Sequence, residues 1–255
     1  MSRTMNVLAP VLLVAVLLLA WEVTVRALHV PPYLMPAPSQ VGAALVANAP
    51  ILASSAWNTL SMALWALVIA SVCAVIIALL IGLSPLAESA VRPLAVALQV
   101  TPIVAIAPLV NIWAGLDHPE RAVIGLASVV SFFPIFSGAI TGLRSADPDL
   151  ERLFDLYGAS RGQRLVRLRL PAAVPFLLEG HKVAAGLAVI GAVVAEFVSG
   201  SGGSQGLAWR LLEAANRLQT AKMFAALLIL GLMGVLAHAV FQALEGWALK
   251  RWRGR

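Results

Sequence analysis

The chain of 255 residues contains a single cysteine, Cys73, and this scarcity excludes two kinds of structure. One thiol cannot form a disulfide within the chain, and it cannot supply a metal site built from several cysteines. Cys73 lies inside an apolar run, where we expect it to be a small buried residue. The sequence also lacks the G-x-x-x-x-G-K-[ST] loop that binds nucleotide phosphates. Its most glycine-rich stretch, residues 200–206, has no lysine and is expected to form a turn.

Charged residues are equally scarce, at 12% of the chain, whereas apolar residues make up 60% and the mean hydropathy is +0.91. A soluble domain has about 25% charged and about 45–50% apolar residues, so the composition excludes that class. It also excludes a disordered chain, which is poor in apolar residues. The composition therefore predicts an all-helical integral membrane protein.

Six apolar segments are long enough to cross a bilayer, since about 20 helical residues span its hydrocarbon core. The first is too long for a signal peptide and is expected to remain as a membrane helix. Prolines between the first two segments, in residues 29–54, are expected to break helix there, and Pro102 and Pro108 should kink the third segment. The six predicted spans are Val7–Leu28, Thr59–Leu83, Leu94–Trp113, Ala122–Leu143, Phe176–Val198 and Met223–Leu244.

The positions of Lys and Arg predict the orientation, because these residues concentrate in cytoplasmic loops. With both termini in the cytoplasm, all but five of the 18 basic residues fall on the inner side. The outer five are Arg26, Arg121, Arg210, Arg217 and Lys222. We therefore predict cytoplasmic termini. The net charge of +6 then reflects membrane topology and not nucleic-acid binding.

The predicted chain is one membrane domain in three sections. Residues 1–55 hold the first span and the proline-rich outer segment, residues 56–246 hold the other five spans, and residues 247–255 form a basic cytoplasmic tail. The cytoplasmic loop 144–175, between the fourth and fifth spans, belongs to the middle section. No Ser/His/Asp or paired-carboxylate arrangement in the sequence indicates an intramembrane enzyme.

The loop 144–175 carries signals for a short amphipathic helix. Asp147-Pro148 is a typical helix start, with Asp as the N-cap and Pro at the first helical position. Gly158 suits a left-handed C-terminal cap. The apolar residues between them are spaced i, i+3, i+4 and i+7, which places them on one face that we name the apolar stripe. The apolar stripe consists of Leu150, Leu153, Phe154 and Tyr157.

The apolar stripe needs a cover, and the pattern leaves open which one. It can pack against the protein's own helices or lie in the lipid interface, or it can dock on a partner protein. Ser160 and Gln163 then form a capping-box pattern that opens a second short helix. Pro171 and Pro175 are expected to limit that second helix.

At this loop the sequence resembles a known family. Gly158-Ala159-Ser160, followed by Leu168-x-Leu170-Pro171, is similar to the cytoplasmic signature EAA-x3-G-x9-I-x-L-P of ABC importer permeases. The spacing from the glycine is met. The EAA triplet is replaced by Arg152-Leu153-Phe154, with Glu151 one place early, so no role is carried over for a glutamate at its first position.

The resemblance extends along nearly the whole chain, to the nitrate/sulfonate/taurine-type subfamily. It implies the type I ABC importer permease fold, with six membrane helices and cytoplasmic termini, in the bacterial inner membrane. The segments that carry it, besides the loop, are Leu34-Met35-Pro36-Ala37-Pro38-Ser39, Thr101-Pro102-Ile103 with Ala107-Pro108-Leu109, Gly142 to Pro148, Pro171 to Pro175 and Gly191 to Glu196.

The resemblance also implies partners. A second permease copy or a close paralogue would complete the path, two ABC ATPase subunits would bind ATP and Mg below it, and a periplasmic or lipid-anchored binding protein would deliver the solute. The first loop helix would be the coupling helix that docks on the ATPase. The residues implied in coupling are Leu150, Leu153, Phe154, Tyr157, Gly158, Ala159, Leu170 and Pro171. The solute would be nitrate, a sulfonate, taurine or bicarbonate, or a vitamin precursor such as a pyrimidine or riboflavin.

Polar residues inside membrane spans are costly and therefore mark candidates for the translocation path. The alternative for each one is a hydrogen bond between helices. Glu196, near the outer end of the fifth span, is either part of an outer gate or paired with Arg210 or Arg217. The candidates are Gln99, Thr101, Pro102, Asn111, Ser128, Ser131 and Glu196. A rival reading of the whole chain, a secondary transporter or channel with no ATPase, would normally show more spans or intramembrane charge.

Overall fold

The computed structural model of the protein describes residues 3–82, 85–115, 117–199 and 205–252, and these residues form helices joined by short turns. The predicted turn at residues 200–206 lies mostly outside this range, as do the last three residues of the basic tail. The helices are α1 (Arg3–Ala27), α2 (Pro38–Ala47), α3 (Ala49–Gly82), α4 (Pro85–Val100), α5 (Ile103–Ala114), α6 (Pro119–Leu143), α7 (Pro148–Leu156), α8 (Arg161–Arg164), a π-helix (Leu165–Arg169), α9 (Leu170–Ser199), α10 (Leu207–Asn216) and α11 (Thr220–Trp252).

Among the described residues, five stretches of helix are long and apolar enough to cross a membrane. Their lengths, from 20 to 39 residues, match or exceed the roughly 20 residues that a bilayer core needs. The prediction of an all-helical membrane protein is confirmed. The count of six spans and the cytoplasmic termini stay predictions. The five stretches are Leu8–Ala27, Ala49–Gly82, Pro119–Leu143, Arg161–Ser199 and Thr220–Arg251.

The third predicted span, Leu94–Trp113, is wrong as a single helix. Helix α4 ends at Val100, and α5 begins at Ile103 with Pro102 as its N-cap. Proline disfavours helical backbone in the residue before it and has no N–H of its own, so Thr101-Pro102 breaks the helix where a mere kink was expected. Pro108, by contrast, lies inside α5.

Two other proline expectations are also wrong. Residues 29–54 are not free of helix, because Pro38 begins α2 and Pro50 lies in the first turn of α3, where a missing N–H costs nothing. Pro171 and Pro175 do not end the second loop helix, since the chain is continuous helix from Arg161 to Ser199. The π-helical turn just before Pro171 widens the backbone and gives its ring room against the preceding carbonyls.

The chain divides into two compact units. The first comprises residues up to 57 together with 205–231, and the second comprises 58–204 together with 232–255, so α3 and α11 contribute to both. In the first unit α1 contacts α2, where Glu22 accepts hydrogen bonds from Ser39 and Arg26. The ring of Trp21 lies 5.6 Å from that of Phe224.

The core of the second unit is the contact between α6 and α9, against which α5 also packs. Glycines on both helices let the backbones approach closely, as is usual between membrane helices. A Cβ atom at Gly142 would lie 2.7 Å from the Cα of Ala173, and one at Gly180 would lie 2.7 Å from the carbonyl oxygen of Pro134. Helix α7 sits on the connection between these two helices. Cys73, expected to be buried, is exposed on α3, a helix whose outer faces would meet lipid or a partner.

Candidate functional site

The ends of α7 are those that the sequence predicts. The side chain of Asp147 accepts a hydrogen bond from the backbone N–H of Asp149 at 2.8 Å, and Pro148 is the first helical residue. At the other end Gly158 has a φ of 64°, and the N–H of Ala159 returns to the carbonyl oxygen of Phe154 at 3.0 Å. These bonds satisfy backbone groups that a helix end leaves unpaired. A nine-residue helix is thereby closed at both ends.

The capping box at the start of α8 is confirmed as well. The hydroxyl of Ser160 accepts from the N–H of Gln163 at 3.3 Å, and the side chain of Gln163 accepts from the N–H of Ser160 at 2.8 Å. The guanidinium of Arg164 donates to the carbonyl oxygen of Ala159, at 3.3 Å for both contacts. The turn from α7 to α8 is therefore held by side chains on both of its sides.

The apolar stripe of α7 is not covered by the protein's own helices. The exposed fractions are 45% for Leu150, 44% for Leu153 and 83% for Tyr157, while Phe154 is half-buried. No residue of α7 is buried. The alternative in which this stripe packs inside the chain is therefore wrong for these three residues, and a cover from outside remains. Leu156 is 85% exposed beside the stripe, although the helical spacing did not include it.

The polar side of α7, by contrast, is bound to the protein. Glu151 accepts from Arg169 at 2.6 Å, and Asp155 forms an ion pair with Arg164 at 2.5 Å. The sequence analysis missed both pairs, although the spacing of four residues between Glu151 and Asp155 shows that they share a face. Most amphipathic helices turn their apolar face inward. On α7, by contrast, Glu151 and Asp155 are bound to the following helical stretch, whereas three of the four residues of the apolar stripe are exposed.

The signature residues after the turn lie at the start of α9. Leu170 is its first residue and is half-buried, and Pro171 lies in its first turn. The hydroxyl of Ser145, just after α6, donates to the carbonyl oxygen of Ala172 at 3.3 Å. The entry to α7 and the beginning of α9 are thus tied together.

We expect that Gly158→Val destabilises the turn after α7 by about 1–2 kcal/mol, because a β-branched side chain disfavours the left-handed backbone conformation. A Cβ at this glycine would meet nothing within 4 Å, so any loss comes from the backbone and not from a clash. Thermal unfolding in detergent measures it. Gly162→Val is the matched control, since that glycine also faces open space and has an ordinary φ. Equal midpoints for the two variants would contradict the role of the left-handed turn.

Four of the polar path candidates fall into two groups, an exposed pair and a buried pair. Gln99 and Thr101 are exposed at the break between α4 and α5, and they line a cavity of about 240 Å³ together with Phe133 and other apolar residues. Ser128 and Ser131 are buried instead, and their hydroxyls donate to backbone carbonyl oxygens. Ser128 thus bonds to Ala66 on α3, as the alternative of a hydrogen bond between helices has it, whereas Ser131 bonds within α6, and a role of either serine in the path stays a prediction.

Two further path candidates bind to other helices. Asn111, on α5, accepts a hydrogen bond from the hydroxyl of Ser199 on α9 at 3.0 Å. Glu196 is only 2% exposed, and Thr59 donates to its Oε1 atom at 2.6 Å. The sequence did not single out Thr59. This bond joins α3 to α9 at a buried carboxyl group, and such a group inside a membrane protein marks a functional candidate.

Arg210 and Arg217, the partners considered for Glu196, both bind Glu213 in the structure. Arg210 donates to Glu213 at 2.9 Å and to Ser55 at 3.1 Å, and Arg217 lies 3.0 Å from Glu213. The hydrogen bond from Arg210 and the charge of Arg217 hold the pKa of Glu213 below its usual range. The hydrogen bond from Arg210 to Ser55 ties α10 to the start of α3 within the first unit. The gate role of Glu196 stays a prediction.

The part of the chain that the structure describes contains no cluster of three or more His, Cys, Asp or Glu residues that would hold a metal ion. The polar groups described above are held mainly by other side chains or by the backbone. Their arrangement offers two surfaces for binding, the exposed stripe of α7 and the cavity at the α4–α5 break.

Comparisons with known proteins agree with this arrangement. The formylaminopyrimidine transport permease protein ThiX of Halalkalibacterium halodurans is 31% identical over 254 residues, which cover 99% of each chain. A probable ABC transporter permease protein of Haemophilus influenzae is 33% identical over 88% of this chain and 90% of its own. A solved structure of an amino acid ABC transporter has the same fold, with a TM-score of 0.62, 14% identity, and coverage of 81% of this chain and 96% of that one.

Residues 67–253 match the family described as the binding-protein-dependent transport system inner membrane component. The match covers α4 to α11 completely, together with about half of α3, and it includes the loop that carries α7. Because it spans most of the sequence, and because the relative from Halalkalibacterium halodurans aligns along its full length, this chain belongs to the family of binding-protein-dependent inner membrane components, the permease subunits of ABC importers.

Proposed function

We propose that this chain is the membrane subunit of an ATP-driven importer in which α7 is the coupling helix. The proposal is carried by one observation, the outward position of most of the apolar stripe of α7. The charged side of the helix is bound by Arg164 and Arg169, and three of the four stripe residues are exposed. An exposed apolar helix face indicates a contact with a partner protein or with lipid, and the proposal takes the partner because a short helix with closed ends keeps its shape while it docks.

Family membership makes the chain a multi-pass protein of the inner membrane and a transport subunit, not an enzyme. The family also works with ATPase subunits and a substrate-binding protein. We propose the finer assembly that the resemblance implies: two permease copies or paralogues, two ATPases that bind ATP and Mg, and one binding protein. Closure of the ATPases would draw the two α7 helices together and switch the permease between inward- and outward-facing states.

The cavity at the α4–α5 break is the proposed start of the translocation path. It offers an amide from Gln99, an aromatic ring from Phe133 and the hydroxyl oxygen of Thr101 as an acceptor, since that hydroxyl donates to the carbonyl oxygen of Ala97 at 2.7 Å. Amide and hydroxyl groups hydrogen-bond uncharged polar solutes, and an aromatic face stacks on a heterocycle. A pyrimidine-like vitamin precursor fits this lining, and the full-length relative is named for formylaminopyrimidine transport. The anionic solutes of the subfamily are the alternative.

The proposal predicts uptake that depends on ATP. Proteoliposomes that hold the chain, the ABC ATPase encoded with it and the binding protein should accumulate labelled solute only when ATP is present on the ATPase side. Native mass spectrometry of the binding protein identifies the solute to use. A pyrimidine among the retained compounds supports the proposed class, and a sulfonate or nitrate supports the anionic alternative.

The control for this experiment is an ATPase whose phosphate-binding lysine is replaced by alanine. Uptake should then fall to the level of protein-free vesicles, since the chain itself carries no nucleotide-binding loop. Equal uptake by the chain alone, without ATPase or ATP, would contradict the proposal. It would identify the chain as a secondary transporter or channel.

A further inference from the structure

Helix α7 is attached to the rest of the second unit mainly through charged side chains. Glu151 and Asp155 are four residues apart and therefore lie on one side of α7. They bind Arg169 at 2.6 Å and Arg164 at 2.5 Å, on the helical stretch that follows the turn. Leu150, Leu153 and Tyr157 lie away from that side of α7 and are exposed. The two ion pairs therefore hold the charged side of α7 against the helical stretch that follows the turn.

The two arginines face α7 together because of the π-helical turn between them. In a regular α-helix, residues five positions apart point about 140° away from each other. Between Arg164 and Arg169 the backbone is π-helical, and the N–H of Leu170 bonds to the carbonyl oxygen of Leu165, five residues back. That wider turn brings residues five apart onto one side. The local distortion thus sets the spacing that the two ion pairs need.

Apolar packing does not hold α7 on this side. A cavity of about 520 Å³ separates it from the ends of α3 and α6, and the four charged residues line that cavity together with Gly82 and Leu143. The described residues leave this space open, so they form no interlocking core against α7 on this side. Besides the bonds at the two ends of α7, the two ion pairs resist a rotation of the helix about its axis.

We propose that Glu151 and Arg169 are positioning residues for the ATPase interface, and that their ion pair fixes the rotation of α7 so that the apolar stripe meets the partner. This inference rests on the proposed coupling role of α7. It also explains why a glutamate at position 151, one place before the first position of the signature triplet, suits this chain. A glutamate at position 152 would point about 100° away from Glu151 and could not reach the same arginine.

Charge exchange tests the inference. Glu151→Arg and Arg169→Glu should each weaken the binding of the ATPase to the purified permease about tenfold, because like charges then repel and α7 turns. The double variant Glu151→Arg/Arg169→Glu restores an opposite pair and should bind within about threefold of the original chain. Arg167→Glu is the matched control for Arg169→Glu, since Arg167 is exposed on the same π-helical turn and the substitution makes the same change in charge. Its binding should be unchanged.

A spectroscopic measurement follows the orientation of α7 without the ATPase. Cys73 is replaced by serine, and spin labels are attached to cysteines placed at Asp149 on α7 and Val183 on α9, both exposed. The distance distribution between the labels should be narrow in the original pair. It should broaden in each single charge variant and narrow again in the double variant.

The inference is overturned if the single variants bind the ATPase as well as Arg167→Glu does, or if the double variant binds no better than the single ones. An unchanged label distribution in the single variants would overturn it too. If the original chain binds no ABC ATPase, the proposed function fails, while the label distances still report whether the ion pair orients α7. Glu151→Gln provides a milder variant, with a smaller loss expected, if the reversed charges prevent folding.

Discussion

A chain that carries both Leu153→Asp and Tyr157→Asp is expected to lose its ATPase partner while its own helices stay folded. Both side chains lie on the apolar stripe, and docking would bury the two new carboxylates against an apolar surface. Burial of an unpaired polar group costs about 2 kcal/mol or more. Since two carboxylates would be buried, the affinity for the ATPase should fall at least about 100-fold. Co-purification in detergent and a binding titration with the purified ATPase measure the loss.

The permease itself should tolerate both changes, because neither residue is buried. Exposed substitutions usually change the free energy of unfolding by less than about 0.5 kcal/mol. Val166→Asp is the matched control, an exposed apolar residue on the π-helical turn outside α7. The control should keep the ATPase, and all variants should elute as folded protein. A doubly substituted chain that still assembles into a fully active complex would remove the docking role of the stripe.

The loop that carries α7 could be predicted from sequence because its signals are local. The N-cap at Asp147, the left-handed turn at Gly158 and the capping box at Ser160 each depend on residues within a few positions of one another. The same holds for the apolar stripe, whose members lie within two turns of one helix. What the sequence left open was the cover of that stripe. The exposure of Leu153 and Tyr157 removes the protein's own helices from the choice.

Helix boundaries near proline were predicted less well, because proline has opposite effects at different positions. Pro102 breaks the third predicted span, whereas Pro38 and Pro50 begin helices and Pro171 lies inside one. A sequence rule that treats proline as a breaker cannot separate these cases. The π-helical turn before Pro171 was the missing element, and nothing in the hydropathy of that segment indicates it.

Contacts between distant residues were the part that the sequence could not provide. The bond from Thr59 to Glu196 joins residues 137 positions apart, and the pair of Glu151 with Arg169 depends on the path of the chain through the turn. The sequence spacing places Glu151 and Asp155 on one face of α7, but it does not identify the arginines that bind them. For Glu196 the sequence suggested two arginines as ion-pair partners, and in the structure both of these arginines bind Glu213.

If α7 couples the permease to an ATPase as proposed, the helices on both sides of its loop must move together. Glycines on α6 and α9 allow these two helices to pack closely. We therefore expect that Gly180→Val has a large effect on the folding of the second unit. A Cβ there would lie 2.7 Å from the carbonyl oxygen of Pro134 and 3.2 Å from the Cα of Ile135. Both are backbone atoms, so no side-chain rotation relieves the clash and the helices must separate. Overpacking of this kind costs about 3 kcal/mol.

Gly186→Val is the matched control on the same helix, because a Cβ at Gly186 would meet nothing within 4 Å. In detergent, the Gly180→Val chain should show a much lower midpoint of thermal unfolding and more aggregate in size-exclusion chromatography, while the control behaves as the original chain does. Any folded fraction should bind the ATPase weakly. The starts of α8 and α9 and the end of α6 hold α7, and a separation of α6 from α9 would displace it. Equal midpoints for the two variants would show that the contact of α6 with α9 yields easily, and the two helices could not then act as one rigid piece.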